Sequence, residues 1–440
     1  MQGGIGLKSS NNLPPNLCIQ SFKERIKSIR ENFDRKAKHI RKLKSKGEKM
    51  KNYKWANIVP LIGGSNFGCY KSTGTKPEYH LSYEAFQKNE AFLERYWPEI
   101  PRININENTE LPEGQLDFVN SVCPCAGLSA LSTAKTDSSS RAKQNQWMFE
   151  SAEYVLGTVK PRVYWGENAP GLFTGVGKLT REKLYEIGKK HGYSLSFYKT
   201  STSFHGVPQY RNRTFYFYWD TGVAPIMNWY DKKSKNLAEY LAEIPKDASG
   251  QKEFVRDSKL VDNHSYQFAI YKSGMDHHEF MKANDGPNRG IHAFYSWIAR
   301  NGHIEEAIEW MDERYEDSAD SKRLKAIKKK LDDGKNFWDN SPAFFYSRTN
   351  ALVGRCLQGI CPPTEPRLLN IREVMHLMGM PMDFEFSPSE KDAGLGMLAQ
   401  NVPSSTAKDM CDEVIKYLKG ELKFSDKDFL MQDNFKQKIL

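Results

Sequence analysis

A cysteine stands in a corner of small and rigid residues, in the stretch Ser-Val-Cys-Pro-Cys-Ala-Gly-Leu-Ser at 121–129. Pro124 restricts the backbone before Cys125, and Gly127 permits a close turn after it. The run 116–122 just before it predicts a strand, so we expect the Cys125 thiol at a strand end that faces a crevice. A nucleophilic cysteine needs such exposure and surroundings that favour the thiolate. A lone cysteine is more often a small buried apolar residue, so the corner alone does not settle its role.

Two further polar sets follow, Gly-Glu-Asn-Ala-Pro at 166–170 and Val-Pro-Gln-Tyr-Arg-Asn-Arg at 207–213. Taken singly, Glu167 could be an exposed acid at a strand end. Arg211 and Arg213 could simply point outward from an edge strand. The second cysteine of the corner, Cys123, is interpreted as a neighbour of the nucleophile. A Cys-x-Cys pair without another paired set is weak support for a metal or redox site.

The elements that would position these residues alternate between strands and helices. Strands are predicted in the segments 56–61, 80–86, 116–122, 162–170, 194–200 and 214–219, and helices at 87–97 and 181–193. This alternation is typical of a mostly parallel α/β sheet. Ligands of such sheets bind beyond the carboxyl ends of the strands. The glycine turn at 63–68, the cysteine corner and Glu167 all follow predicted strands, so we expect them to share one crevice.

Together these motifs resemble the C5-cytosine DNA methyltransferases. The family's Pro-Cys-x-Gly-x-Ser corner matches Pro124, Cys125, Gly127 and Ser129, its Glu-Asn pair matches Glu167 and Asn168, and its Gln-x-Arg-x-Arg set matches Gln209, Arg211 and Arg213. Residues 367–386 resemble the stretch before the family's last motif, and Asn401, Val402 and Pro403 resemble that motif itself. The matches occur in the family's order over roughly residues 56–420, which makes coincidence a poor explanation. The resemblance implies a Rossmann-like class I methyltransferase sheet with helices on both faces and an inserted, smaller target recognition domain.

The resemblance also implies a covalent mechanism. The Cys125 thiolate would attack C6 of a cytosine flipped out of the duplex, which makes C5 nucleophilic toward the methyl group of S-adenosylmethionine. Glu167 would protonate or hydrogen-bond N3. Arg213 would stabilise negative charge near O2, with Arg211 supporting the site.

The residues expected to bind the methyl donor depart in part from the family pattern. Gly63, Gly64 and Gly68 fall at the places that the first glycine motif requires, but Val59 and Leu61 replace its Phe and first Gly. By resemblance, the residues that would hold S-adenosylmethionine are Ile62, Gly63, Gly64, Gly68, Glu84, Pro124, Asn401 and Val402. An acid after the second strand, Glu84, can accept hydrogen bonds from ribose hydroxyls. Where the family has an acid after its third strand, this chain has only Asn104 or Asn106.

The charge of the chain is concentrated at its start. The net charge is +10, and residues 1–51 alone hold 14 Lys/Arg against four Asp/Glu, so the remainder is neutral. Apolar residues recur at helical spacing between Phe22 and Leu43, which predicts an amphipathic helix, and Ser21 and Glu24 form a candidate capping box. Its basic face could contact DNA or remain a solvated arm. The predicted division is a basic extension (1–52), a first catalytic part (53–220), a target recognition domain (221–345), a closing catalytic part (346–420) and a tail without clear signal (421–440).

The remaining predictions concern partners and alternatives. No metal is expected, since His264, Asp276, His277 and His278 follow no ligand spacing and suit ordinary polar contacts. Seven cysteines without a secretory signal or an apolar spanning run predict a cytoplasmic protein of a bacterium or a phage-infected cell, with free thiols and no membrane association. We expect a monomer that acts on double-stranded DNA, with a restriction endonuclease as a candidate partner. Two alternatives stay open: a tRNA cytosine-5 methyltransferase, and a catalytically silent DNA-binding homologue.

Overall fold

The computed structural model describes residues 52–106, 109–124, 128, 139–246, 260–285, 292–337, 339, 343–352, 360–386 and 391–440. The basic extension with its predicted helix lies outside these residues, apart from Asn52, and so do Cys125, Gly127 and Ser129. Among the described residues, no helix is both long and apolar enough to cross a membrane.

Sixteen strands are present in the described part of the chain. They are β1 (Trp55–Ile58), β2 (His80–Ser82), β3 (Arg102–Asn104), β4 (Phe118–Ser121), β5 (Val163–Asn168), β6 (Ser194–Ser201), β7 (Gln209–Tyr210), β8 (Asn212–Trp219), β9 (Pro225–Ile226), β10 (His292–Ala293), β11 (Ala343–Phe344), β12 (Thr349–Asn350), β13 (Ile360–Cys361), β14 (Lys423–Phe424), β15 (Phe429–Asp433) and β16 (Lys438–Ile439).

Thirteen α-helices accompany them in the same residues. They are α1 (Gly64–Thr73), α2 (Gln87–Tyr96), α3 (Ser139–Tyr154), α4 (Lys178–His191), α5 (Leu237–Leu241), α6 (His264–Ser273), α7 (His277–Ala283), α8 (Phe294–Arg300), α9 (Ile304–Arg314), α10 (Ala319–Asp332), α11 (Ile371–Leu377), α12 (Lys391–Gln400) and α13 (Ser404–Leu418).

Nine strands form one sheet in the order β16-β15-β6-β8-β5-β4-β1-β2-β3. Neighbours from β3 to β5 run parallel, whereas β8 runs antiparallel to both β5 and β6. The order 3-2-1-4-5 is that of a Rossmann-like sheet, which reverses direction beside the first strand. The predicted α/β architecture is therefore confirmed.

Helices cover both faces of this sheet, because successive residues of a strand point to opposite sides. The Tyr218 hydroxyl of β8 donates to the carbonyl of Leu184 in α4. The next residue, Trp219, packs its ring 4.8 Å from that of Tyr417 in α13. A strand that is covered on both sides is apolar along its length, and Phe215–Trp219 is fully buried.

The tail at 421–440, for which the sequence gives no clear signal, extends the sheet. Five residues of β15 pair in parallel with β6, and β16 then pairs antiparallel with β15. Gln432 exchanges hydrogen bonds with the backbone of Met227, and the Asn434 side chain accepts from the Tyr198 hydroxyl. These polar contacts hold in place a strand that the amino-acid composition of the tail does not predict.

A second region has its own apolar centres. Two buried clusters draw all their members from residues 260–368, on α6 to α10 and β13. The main core instead contains residues 53–244 and 345–422. We refer to residues 260–368 as the second lobe, excluding Phe345 and Leu352, which pack in the main core. The domain boundaries at 221 and 345 remain predictions. The segment 227–244, which follows the first of them, packs in the main core.

Candidate active site

The motif residues meet at one edge of the main sheet. The parallel strands β1, β2, β4 and β5 all end there. The antiparallel β8 begins there, so Asn168, at the end of β5, lies opposite Thr214. The chain therefore brings Glu167 and Arg213 to the same edge from two different motifs.

Glu167 and Arg213 form an ion pair at this edge. In the β5–β8 register, Glu167 lies opposite Phe215, so Arg213 is its diagonal neighbour two residues earlier on β8. The Arg213 Nε atom contacts Glu167 Oε1, and the side chains are 14% and 2% exposed, respectively. Burial raises the pKa of the Glu167 carboxyl, against the opposing charges of Arg213 and Arg211. A carboxyl with a raised pKa holds a proton nearer to neutral pH and can donate it to a ligand.

Arg211 has a different position from Arg213. Its side chain is fully buried. Its Nη1 atom donates to the Leu352 carbonyl at 2.8 Å, and Nη2 donates to the carbonyls of Ala399 and Asn401 at 2.8 and 2.7 Å. Arg211 therefore fastens the start of β8 to the C-terminal end of α12 and to Leu352, which follows β12.

A cluster of buried hydroxyls lies directly behind Glu167, and it was not found from the sequence. Ser121 Oγ lies 2.7 Å from the Tyr216 hydroxyl and accepts from Tyr164 at 3.1 Å. A Cβ atom on Gly166 would lie 2.3 Å from the Tyr216 oxygen, so only glycine fits before Glu167. These hydroxyls tie together the ends of β4, β5 and β8. The tyrosines alternate with apolar residues in the strands, and nothing in that pattern signals a polar cluster.

The cysteine corner follows β4, whose last residue, Ser121, lies opposite Gly166. Cys125 itself is outside the described residues, and its predicted role is not tested by the geometry. The preceding Cys123 is buried, and its thiol donates to Ser151 Oγ at 3.6 Å. Burial raises the pKa of the Cys123 thiol to about 11. A thiol of that kind is a poor nucleophile, in keeping with its interpretation as a neighbour.

The first glycine motif contains two non-glycine residues with positive φ angles. Val59 and Leu61 adopt φ angles of 54° and 53°, in the left-handed region that β-branched and large side chains avoid. Gly63, at φ 91°, then starts α1. Each non-glycine residue in this region costs about 1–3 kcal/mol, so the strain must be offset by the packing of the buried Val59, Leu61 and Ile62.

The glycines of α1 allow it to pack tightly against the last motif. A Cβ atom on Gly64 would lie 2.2 Å from the Val402 carbonyl and 2.5 Å from the Asn401 amide nitrogen. A Cβ atom on Gly68 would lie 2.5 Å from that of Ala407. The first and last motifs thus form one wall at the end of β1, with Asn401 and Val402 buried in it.

The acid predicted for ribose hydroxyls lies next to this wall. Glu84 is exposed, two residues after the end of β2, and β2 is the neighbour of β1. At the end of the next strand, the guanidinium of Arg102 donates to the Asn104 side chain. An exposed acid therefore lies next to the glycine turn, and the third strand ends in an amide.

The histidines of the second lobe make ordinary polar contacts. His264 bonds Ser318 at 2.8 Å and stacks on Tyr315. His277 and His278 contact the carbonyls of Pro362 and Pro363. Within the described ranges, no group of three or more His, Cys, Asp or Glu side chains could hold a metal ion.

Comparisons with known proteins agree with the geometry. The family model for the C-5 cytosine-specific DNA methylase matches residues 23–416. A solved structure described as a DNA modification methyltransferase encoded within an Escherichia coli prophage is 14% identical and covers 83% of this chain and 99% of its own, with a TM-score of 0.51. The Entamoeba histolytica methyltransferase EhMeth is 11% identical and covers 84% and 99%, with a TM-score of 0.47. No curated protein sequence matches the chain significantly.

Proposed function

Because this chain belongs to the C-5 cytosine-specific DNA methylase family, we propose that it transfers a methyl group from S-adenosylmethionine to C5 of a cytosine in double-stranded DNA. The observation that carries the proposal is the buried Glu167–Arg213 pair at the sheet edge where β4 leads into Pro124 and Cys125. An acid and a cation in contact at that point suit a pyrimidine ring that must be made electrophilic.

Glu167 is the acid for cytosine N3. Burial raises its pKa, which favours the protonated carboxyl over the carboxylate. Donation of that proton to N3 withdraws electrons from the ring and makes C6 open to attack. The hydroxyl cluster of Ser121, Tyr164 and Tyr216 supports the strand ends that hold Glu167 in place.

Arg213 and Cys125 are the other two residues that act on the base in the proposed reaction. The partly exposed Arg213 guanidinium is available to stabilise negative charge at O2 of the base. The Cys125 thiolate adds to C6 and places an electron pair on C5, which then becomes the nucleophile. After C5 has been methylated, its proton leaves to a base and the thiolate is expelled by elimination, which restores the ring.

The donor would lie against the wall formed by the first and last motifs. Ile62, Gly63, Gly64 and Gly68 form the glycine turn, Glu84 is the ribose acid, and Pro124, Asn401 and Val402 close the site. When bound, S-adenosylmethionine supplies an electrophilic methyl carbon on its sulfonium. The residues present suit such a donor in their chemistry, since the exposed acid Glu84 follows the strand next to the one that leads into the glycine turn.

The second lobe is the target recognition domain of this proposal. It lies in the chain between the Gln-x-Arg-x-Arg motif and the last motif and has its own apolar clusters. A base that reacts with Cys125 must leave the stack, so the duplex must lie between this lobe and the sheet edge.

The test is a covalent trap. The protein is mixed with S-adenosylmethionine and a duplex library that contains 5-fluorocytosine, whose C5 substituent cannot be eliminated. Wild type and Cys123→Ala should give a protein–DNA band that survives denaturant, and Cys125→Ala should give none. Cys123→Ala is the matched control because it removes the neighbouring buried thiol. A band with RNA alone would establish the tRNA-type alternative, and absence of both bands and of donor binding would establish the silent DNA-binding homologue.

A further inference from the structure

One segment joins the two lobes beside the candidate site. Phe345 packs in the main core, whereas the next residue, Tyr346, packs against an apolar cluster of the second lobe. Ser347 donates a hydrogen bond to Asp285 of the second lobe. The following residues form β12, which pairs in parallel with β7 of the Gln-x-Arg-x-Arg motif. The segment 345–352 is therefore fixed to both lobes at their junction.

The only cation in this segment is Arg348, and it is held in a defined position. Its Cζ atom lies 5.1 Å from the ring centroid of Tyr210, so the guanidinium lies over that ring in a cation–π contact. Tyr210 is half-buried and lies between the fully buried Gln209 and Arg211. Register pairing of Thr349 with Gln209 holds the two segments side by side. The Arg211 bond to the Leu352 carbonyl fixes the segment further along.

Arg348 remains available for a ligand. It is exposed, and no carboxylate among the residues that the structure describes forms an ion pair with it. An arginine that is held over an aromatic ring has lost part of its rotamer freedom already, and its planar fork matches a phosphate. Little further ordering is then needed when an anion binds.

The more conspicuous basic run of the second lobe is less suited to such a role. Lys325 and Lys328 of α10 pair with Asp312 and Glu305 of the acidic helix α9. Lys328 also pairs with Asp332. This face is largely neutralised by its own neighbours, in contrast to Arg348.

We propose that Arg348, held over the ring of Tyr210, binds a backbone phosphate of the DNA duplex at the junction of the lobes and so sets the position of the duplex relative to the Glu167–Arg213 pair. This inference rests on the proposed function and adds a residue that the family motifs do not contain. Phosphate contacts fix the register of a protein on a duplex without reading its sequence. The effect of Arg348 is therefore equal for all target sequences.

The experiment measures the dissociation constant for a duplex as a function of salt, for wild type, Arg348→Ala and Arg348→Lys. Loss of one phosphate contact should weaken binding about tenfold. It should also reduce the slope of log K against log salt by about 0.9. Arg348→Lys should keep the slope and lose part of the affinity, because it keeps the charge without the planar fork.

The matched control is Lys189→Ala. Lys189 is an exposed cation near the end of α4, at the opposite edge of the sheet, just before β6 begins. It should leave affinity and slope unchanged. Thermal unfolding of each variant verifies that the fold is intact, which is expected because Arg348 is exposed.

The outcomes separate this inference from the proposed function. An unchanged slope and affinity in Arg348→Ala, with a covalent DNA band still formed, would overturn the phosphate contact and leave the function standing. A loss of thermal stability without a loss of affinity would show that the cation–π contact is structural only and would likewise overturn it. Binding of an RNA hairpin alone, without any DNA band, would overturn the duplex-DNA contact together with the DNA substrate.

Discussion

Changing each arginine of the Gln-x-Arg-x-Arg motif to methionine should have a different effect. Arg211→Met should lower the stability of the fold, and Arg213→Met should lower the rate of reaction. Arg211→Met removes the guanidinium that donates to the carbonyls of Leu352, Ala399 and Asn401. A buried acceptor left without its donor costs about 1–3 kcal/mol. Three such groups, which are not fully additive, give a loss of roughly 3–6 kcal/mol, a large part of the ~5–15 kcal/mol that stabilises a folded protein.

Arg213→Met should leave the fold nearly as stable as wild type. Its main partner in this structure is Glu167, whose pKa is already raised by burial, so the carboxyl can take up a proton when the cation is removed. We expect a change of less than about 1 kcal/mol in the free energy of unfolding. The rate of covalent trapping should instead fall about 100-fold, the usual effect of removing one group that stabilises developing negative charge.

Urea denaturation followed by tryptophan fluorescence measures the first effect, and single-turnover trapping of 5-fluorocytosine measures the second. For a slope of about 3 kcal/mol per molar urea, the upper end of the usual range, the midpoint of Arg211→Met should fall by about 1–2 M. Equal midpoints for Arg211→Met and wild type would refute the role of Arg211 as a clamp on three carbonyls. A large midpoint shift in Arg213→Met would equally refute the division of roles between the two residues.

Three further predictions concern the acid, the second thiol and the glycine wall. We expect the single-turnover rate of wild type to fall as the Glu167 carboxyl, whose pKa is raised by burial, loses its proton with rising pH. Glu167→Gln should lose this pH dependence, and a fall that survives in the variant would count against Glu167 as the acid. Cys123, whose pKa is raised to about 11, should resist iodoacetamide in the native protein and react after denaturation, as peptide mass spectrometry would show; native labelling would mean that this thiol is accessible. Gly64→Ala should lower the free energy of unfolding by about 1–3 kcal/mol and weaken donor binding in calorimetry, because its Cβ would clash with the Val402 carbonyl. The control Gly396→Ala, which has open space around it on a helix, should raise the free energy of unfolding by about 0.5–1 kcal/mol. Effects of the same sign in both variants would contradict the packing argument.

The sequence allowed the fold to be predicted because its strands are apolar on both faces and end in polar or glycine turns. The position of Glu167 at the end of a strand followed from the same pattern, whereas Arg213 was assigned to the site through the family resemblance. Tertiary contacts decided what the pattern could not. The resemblance gave Arg211 a supporting role, but the carbonyls that surround it could not be predicted, because they come from residues about 140 and 190 positions later.

Other features escaped prediction for physical reasons of their own. The turn at Val59 and Leu61 looks disrupted because both residues disfavour positive φ, but buried packing holds them there. The strand β15 is short and mixed in polarity, so it becomes recognisable only through its pairing with β6. Arg348 carries no local signal at all, since its partner Tyr210 is distant in the chain.

The pairing of β15 with β6 also affects how the chain is made. Roughly 230 residues separate the end of β6 from the start of β15. At about 5–20 residues per second, a ribosome leaves that edge without its partner for roughly 10–50 s. A strand edge that lacks its partner invites pairing with other nascent chains during that interval. Slow synthesis or high expression should therefore favour aggregation through β6, and assistance from chaperones matters most before Phe429 has emerged.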